Sequence, residues 1–314
     1  MSRADTLLDR RRLRRKLAFW RVGAIVLVGL AVAAFSVWQW NGQWRAPVDH
    51  IAKVKIEGTI TEDEELLERL ERIGDADRVK GVIVSINSPG GTTVGGEAVF
   101  NAVRKLAEKK PVVAQVGGLA ASAGYMIASA TDGIVARQSS IVGSIGVIFP
   151  LPNVSGLLDR IGVQVDAVKS SPLKAEPSPF NPTTEEERAM LRAMVLDSYD
   201  WFVGLVESRR PLSRAEVLAL ADGSVFTGRQ ALERKLVDRL GGEEEAKAWL
   251  VEKGVSDSLE VVEWEPRRQT GLLWGSASSL LRLAGLPDDA AKLASSLGTE
   301  RLFLDGLVSL WHPE

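Results

Sequence analysis

Between residues 51 and 136 short apolar runs alternate with amphipathic stretches of ten or more residues, and this alternation restricts the possible folds more than any other feature. Residues 51–56, 79–86 and 111–116 read as strands, and residues 61–73 and 94–109 as helices between them. A helical crossover carries the chain back to the same end of a sheet, so strands joined in this way run parallel. The expected fold class is α/β with a largely parallel sheet. Residues 133–136, 141–149 and 163–169 should add strands. Residues 170–182, which hold Pro172, Pro177, Pro179 and Pro182, should form an exposed or cleft-lining loop. Beyond it, Thr184-Glu185-Glu186-Glu187 reads as a capping box opening a long helix, with Met190, Met194, Trp201 and Leu205 on its apolar stripe. A further helix is expected to begin with Phe226-Thr227-Gly228-Arg229-Gln230-Ala231 and to run out at Val237-Asp238.

The ends of the chain differ from this core. Basic residues Arg10, Arg11, Arg12, Arg14, Arg15, Lys16 and Arg21 precede an apolar run over residues 22–40, with Trp38, Trp40 and Trp44 at its far side. At about 1.5 Å per residue such a helix reaches roughly 28 Å, close to the hydrocarbon thickness of a bilayer. The basic flank and the tryptophan belt predict a transmembrane helix with residues 1–21 cytoplasmic and the rest exported. A cleaved signal peptide is the rival, because Ala31-Val32-Ala33-Ala34 offers small residues for cleavage. The resulting division is a basic segment (1–21), an anchor (22–40), a linker (41–50), an α/β domain (51–264) and a C-terminal extension (265–314). The extension carries apolar clusters such as Leu272-Leu273-Trp274 and Leu302-Phe303-Leu304.

Charge and composition exclude several functions. Of 39 basic and 41 acidic residues, eight and two lie before Val22, so the remainder carries 31 against 39 and is a poor partner for nucleic acid. The chain has no cysteine, which removes thiolate chemistry and says nothing about redox compartment. No P-loop pattern occurs, and Gly117-Gly118 does not open a dinucleotide fingerprint.

Chemistry concentrates at two glycine-rich turns that follow strands, where open α/β sheets form their ligand crevice. In Gly117-Gly118-Leu119-Ala120-Ala121-Ser122-Ala123-Gly124-Tyr125 a single hydroxyl sits among residues too small to shield it. Ser122 is therefore a candidate nucleophile. The turn Ser88-Pro89-Gly90-Gly91 offers backbone N–H groups of Gly90 and Gly91 for an oxyanion hole, with the N–H of Ala123 as a further donor at a helix N-terminus. The only histidines are His50 and His312, next to the anchor and near the C-terminus, so the base must be another residue type. A neutral lysine amine can serve. With an ordinary pKa near 10.4 a lysine is neutral in only about one part in two thousand at pH 7, and lowering it to about 7 costs roughly 4.6 kcal/mol, which burial can supply. Lys169 and Lys174, flanking the proline-rich loop, are both candidates on this ground.

The ordered set Ser88-Pro89-Gly90-Gly91, Ala121-Ser122-Ala123-Gly124-Tyr125, Gly143-Ser144-Ile145-Gly146-Val147, Ser170-Ser171-Pro172-Leu173-Lys174 and Thr227-Gly228-Arg229-Gln230-Ala231 with Leu236-Val237-Asp238 resembles the signal peptide peptidase SppA family over about residues 50–250. The resemblance implies a crotonase-like fold related to the Clp protease. It assigns Ser122 as nucleophile, Lys174 as general base and Ser144 as the hydroxyl that orients the lysine. It further implies a ring-shaped homo-oligomer in which serine and lysine come from neighbouring subunits, with one catalytic copy per chain. Hydrophobic peptides, remnant signal peptides among them, would be substrates on the exported side of the bacterial cytoplasmic membrane, with lipid contacted through the N-terminal helix and no metal or cofactor required. Ser171 and Ala123 stand where the family often has glycine. Two other classes fit the same chain: a crotonase-like acyl-transfer or hydratase enzyme, disfavoured by export, and a membrane scaffold without catalysis.

Overall fold

The computed structural model describes residues 48–266, the backbone strand Val308–Leu310, and six helical positions near the N-terminus (20, 23, 26, 27, 29 and 30). It divides into two units, Met1–Asp49 and His50–Glu314. Most of the apolar run 22–40 lies outside the described residues, and among those described no helix is long and apolar enough to cross a membrane.

In the second unit, β1 (His50–Ile60), β2 (Val79–Thr92) and β3 (Val112–Ala121) pair in parallel and form the centre of one sheet. β4 (Gly133–Ala136) and β5 (Ile141–Gly143) both join β3, also in parallel. β6 (Val225–Thr227) pairs antiparallel with β5, while β7 (Arg239–Leu240) and β8 (Val261–Glu263) extend the sheet in parallel beside β4 and β1. The expected, largely parallel α/β sheet is present.

The strands alternate at period two, which sends successive side chains to opposite faces. Val54, Val84, Ala114 and Ile134 belong to the larger core, under α1 (Glu64–Asp75), α2 (Thr93–Ala107), α3 (Ala123–Ala130) and α5 (Glu185–Arg209). Ile51, Ile83, Val113 and Val135 face the other way and meet Trp249 and Leu250 of α8 (Glu243–Glu252). Where both faces are covered, in β2 and β3, the strands read as near-continuous apolar runs, whereas β1 carries Lys53 and Lys55 on its second face.

Caps define the helix starts. Asp63 accepts from the Leu66 N–H and begins α1 three residues later than the sequence reading placed it. Thr184 and Glu187 form the expected reciprocal capping box at α5. The expected stripe of α5 holds in its second half, where Trp201 and Leu205 pack against the larger core. Its buried positions are Glu187, Leu191, Phe202, Val203 and Val206, and Met194 is exposed, since the first half of the helix stands largely clear of the core. Phe226 lies in β6, and the helix expected there is α7 (Gly228–Glu233), capped by Thr227 and Gln230. The helices α4 (Ser155–Ile161) and α6 (Arg214–Leu220) complete the described set.

Two expected strands are corrected. The strand expected over 141–149 ends at Gly143, because Ser144 takes a φ of 52° and turns the chain. The segment 163–169 forms no strand: it runs irregular and exposed, with Val163 at 44%, Val165 at 43% and Val168 wholly exposed. Its alternation suits a pleated strand, but a strand needs a neighbouring edge for its N–H and C=O groups, and within the described part of one chain none lies beside it.

Candidate active site

β3 delivers the chain directly into Ser122, and α3 leaves from Ala123. Ser122 adopts φ 56° and ψ −119°, the first central position of a type II′ turn, where glycine is the usual residue. Holding a serine there costs on the order of 1–3 kcal/mol and persists only where surrounding bonds fix it. Here its N–H donates to the Gly143 carbonyl at 2.8 Å and its carbonyl accepts from Met126 at 2.9 Å. This sharp strand-to-helix turn is the geometry that projects a nucleophilic hydroxyl over the edge of an α/β sheet. Ser122 Oγ is not spent as a cap, since it accepts no bond from the first turn of α3.

The second glycine-rich turn lies alongside. Ser88 of β2 pairs with Ala120 of β3, two residues before Ser122. A Cβ on Gly124 would come within 2.9 Å of the Ser88 carbonyl oxygen, so only glycine lets the two turns approach this closely. Gly91 is packed even more tightly against β1: a Cβ there would sit 1.8 Å from the Ile60 carbonyl oxygen. The structure thus brings Ser122, Ala123, Gly90 and Gly91 to one sheet edge, as the sequence reading expected.

A role for the Ser88 hydroxyl was not read from the sequence. It is fully buried, donates to the Gly58 carbonyl at 2.6 Å and accepts from the Gly90 N–H at 3.1 Å. It therefore pins the ends of β1 and β2 together and engages the Gly90 N–H. Ala123 is the first residue of α3, so its N–H has no carbonyl partner within that helix. Replacing Ser88 by alanine removes both bonds from a dry site and should destabilise the fold by about 1–3 kcal/mol. If the turn it fixes supplies oxyanion donors, the same change should lower kcat more than it raises KM; denaturant melts and steady-state kinetics on a peptide check both effects.

Ser144 follows Gly143 and is 8% exposed; its N–H donates to the Ser224 carbonyl at 2.7 Å. Two consecutive residues, Gly143 and Ser144, thus hold Ser122 and tie β5 to the segment leading into β6. The two lysines have different settings. Lys169 Nζ is ion-paired with the carboxylate of Glu176, whose side chain is 7% exposed. Lys174 lies exposed in a short turn whose N–H donates to the Ser171 carbonyl at 3.1 Å. Among the described residues of a single chain, therefore, Lys174 has none of the burial a neutral amine requires.

Behind the site, Tyr125 is fully buried and its hydroxyl donates to the Leu236 carbonyl at 2.9 Å; burial raises its pKa. Arg210 makes two hydrogen bonds, both 2.9 Å, to Asp238, whose carboxylate also accepts from the Ile134 N–H at 2.7 Å. The motif residues Tyr125, Leu236 and Asp238 are thus a brace under α3, which explains in physical terms why they accompany the serine. Among the described residues no cluster of His, Asp and Glu could hold a metal ion.

Known proteins similar to this chain include proteases. The sequence pattern of Peptidase family S49 matches residues 104–255, which include Ser122, Ser144 and Lys174. A protein of Methanocaldococcus jannaschii named as a protease is 41% identical over 207 residues, 66% of this chain and 66% of its own length. A protein of Synechocystis named as a protease is 36% identical over 240 residues, 74% of this chain and 86% of its own length. Protease 4 of Haemophilus influenzae is 33% identical over 278 residues, covering 81% of this chain but 45% of the relative. The mixed α/β fold with its largely parallel sheet fits the Clp-protease-like architecture expected from the sequence. The chain belongs to peptidase family S49 and is a protease of that family.

Proposed function

We propose that this protein is a membrane-anchored serine endopeptidase with a Ser122–Lys174 dyad that cuts hydrophobic peptides, remnant signal peptides included, on the exported side of the bacterial cytoplasmic membrane. The observation that carries the reading is the strained Ser122 turn, held between Gly143 and α3 with the Gly91 turn at its side. Lys174 takes the proton from Ser122 Oγ as the oxygen attacks the scissile carbonyl. The oxyanion rests on backbone N–H groups of Gly91 and Ala123, with Gly90 held behind them by Ser88, and the positive end of α3 adds to the stabilisation. Collapse expels the amine, which collects the proton from Lys174, and the lysine then activates water to release the acyl group from Ser122. Ser144 orients the amine.

The base comes from a neighbouring subunit of a homo-oligomer. In support, Lys174 is exposed in one chain, and the segment before it shows Leu157, Ile161, Val163, Val165 and Val168 to solvent. An amine can be dried only if something covers this stretch, and an alternating segment that lacks a sheet partner is suited to pairing with a second copy. The basic flank, apolar run 22–40 and following tryptophans support a single membrane span with the N-terminus cytoplasmic.

The test is covalent. A serine-directed fluorophosphonate should add to the full-length protein at one residue, which peptide mass mapping should place at Ser122. Cleavage of hydrophobic peptides with Ser122 unlabelled would remove the dyad; labelling elsewhere would move the nucleophile. A hydratase on the same fold would leave Ser122 unmodified.

A further inference from the structure

Lys174 stands in a turn that a buried carboxylate closes. Within the turn the Lys174 N–H donates to the Ser171 carbonyl at 3.1 Å and the Glu176 N–H to the Leu173 carbonyl at 3.3 Å, with Ala175 at a left-handed φ of 60°. The Glu176 side chain then folds back across the loop. One carboxylate oxygen accepts from Lys169 Nζ on the N-terminal side of Lys174, and the other accepts from the Ser178 N–H at 2.5 Å on the C-terminal side. Just beyond, the Pro179 carbonyl accepts from the Val154 N–H at 2.8 Å, which ties the loop to the start of α4. The Glu176 side chain is 7% exposed, whereas Lys174 faces solvent. A carboxylate withdrawn from water keeps its charge only where donors and a counter-charge surround it. Here both come from the two limbs of one loop.

A base that serves a serine on a neighbouring chain has two needs. It must be held at contact distance, because a displacement of about 1 Å can cost about a hundredfold in rate. It must also be free of other partners, since an amine held by a carboxylate is neither in place nor able to take a proton. Glu176 lies two residues from Lys174, and a carboxylate so near would compete for that amine if nothing else engaged it. We propose that Glu176 is a positioning residue for Lys174 and that Lys169 guards it: the carboxylate ties both limbs of the loop so that the turn presents the Lys174 amine outward, and Lys169 occupies the carboxylate so that it does not capture that amine. The second lysine of the loop thereby has a role other than base. This inference rests on the Ser122–Lys174 reading for its consequence, whereas the clamp itself requires no catalysis.

Glu176→Ala in the full-length, detergent-solubilised protein should lower kcat on a fluorogenic hydrophobic peptide about 10²-fold and move KM by less than about twofold. Fluorophosphonate labelling of Ser122 should slow by a similar factor, because that reaction needs the base and not the peptide. Glu176→Gln keeps an oxygen that accepts from Ser178 and Lys169, and should lose less than about tenfold. Lys169→Met strands the carboxylate and should be damaged about as much as Glu176→Ala, about 10²-fold. Adding Glu176→Gln to Lys169→Met removes the competitor, so the double variant should be about tenfold faster than Lys169→Met alone, a coupling that a plain structural staple would not produce. The mass of each variant in solution is measured alongside. Should Glu176→Ala not assemble, the comparison of Lys169→Met with the double variant decides, since both keep long side chains. Full activity in Glu176→Ala and Lys169→Met, or a double variant no faster than Lys169→Met, overturns the inference, and an inert Lys174→Arg protein then leaves the dyad standing. Full activity in Lys174→Arg removes the dyad, and the positioning role with it, whatever the loop variants do.

Discussion

Replacing Ser122 by alanine is expected to lower kcat on a hydrophobic peptide by about 10⁵–10⁶-fold, the loss seen when a serine hydrolase loses its nucleophile. The oxyanion donors survive the change, so a small rate above that of water should persist. Folding should not suffer. The serine carries a left-handed φ of 56° that alanine must also adopt, and the bonds that fix this turn, to Gly143 and from Met126, are made by the main chain. KM should change little, because the hydroxyl contributes more to the transition state than to the bound peptide. Single-turnover kinetics on the detergent-solubilised full-length protein, with its mass in solution measured in parallel, checks rate and assembly together. Turnover within tenfold of the unaltered protein would mean that another residue attacks the carbonyl.

Replacing Lys174 by arginine should be nearly as severe, with a loss of at least about 10³–10⁴-fold, in the range of general acid–base catalysis. Arginine keeps the positive charge, the reach and the capacity to donate, but its guanidinium is never deprotonated in water and cannot take a proton. A purely electrostatic or structural role for Lys174 would tolerate this change; a role as base would not. Alanine at the same position should be equally inert, and arginine at Lys169 should retain activity, since that side chain serves an ion pair with Glu176 that a guanidinium can also make. Equal losses at both lysines would place the loop's integrity, rather than one amine, behind the effect.

What could be read from the sequence depended on how local each feature is. The strands around Val84 and Val113 were legible because burial on both faces writes a near-continuous apolar run, the one around Val54 because apolar residues alternate with Lys53 and Lys55, and the α5 start because Thr184 and Glu187 cap within one turn. Ser122 was legible as the one hydroxyl among small residues between a strand and a helix. The turn at Ser144 was not, since nothing local announces a positive φ at a serine. The segment 163–169 carries the alternation of a strand, but pairing depends on an edge supplied from elsewhere. The Ser88 clamp needs Gly58 from β1, thirty residues away, and the strand Val308–Leu310 meets β2 from the far end of the chain. Such contacts are tertiary, and periodicity holds no record of them. The apolar run 22–40, by contrast, lies mostly outside the described residues.

Co-assembly of two dead proteins tests most directly whether one chain's Ser122 works with its neighbour's Lys174. Full-length chains carrying Ser122→Ala and Lys174→Ala, bearing different tags, would be co-expressed and purified through both tags. If subunits mix at random around a closed ring, about a quarter of the sites combine an intact serine with an intact lysine, and activity should return to about that fraction of the unaltered enzyme. Doubly tagged assemblies as inert as either parent would contradict the account.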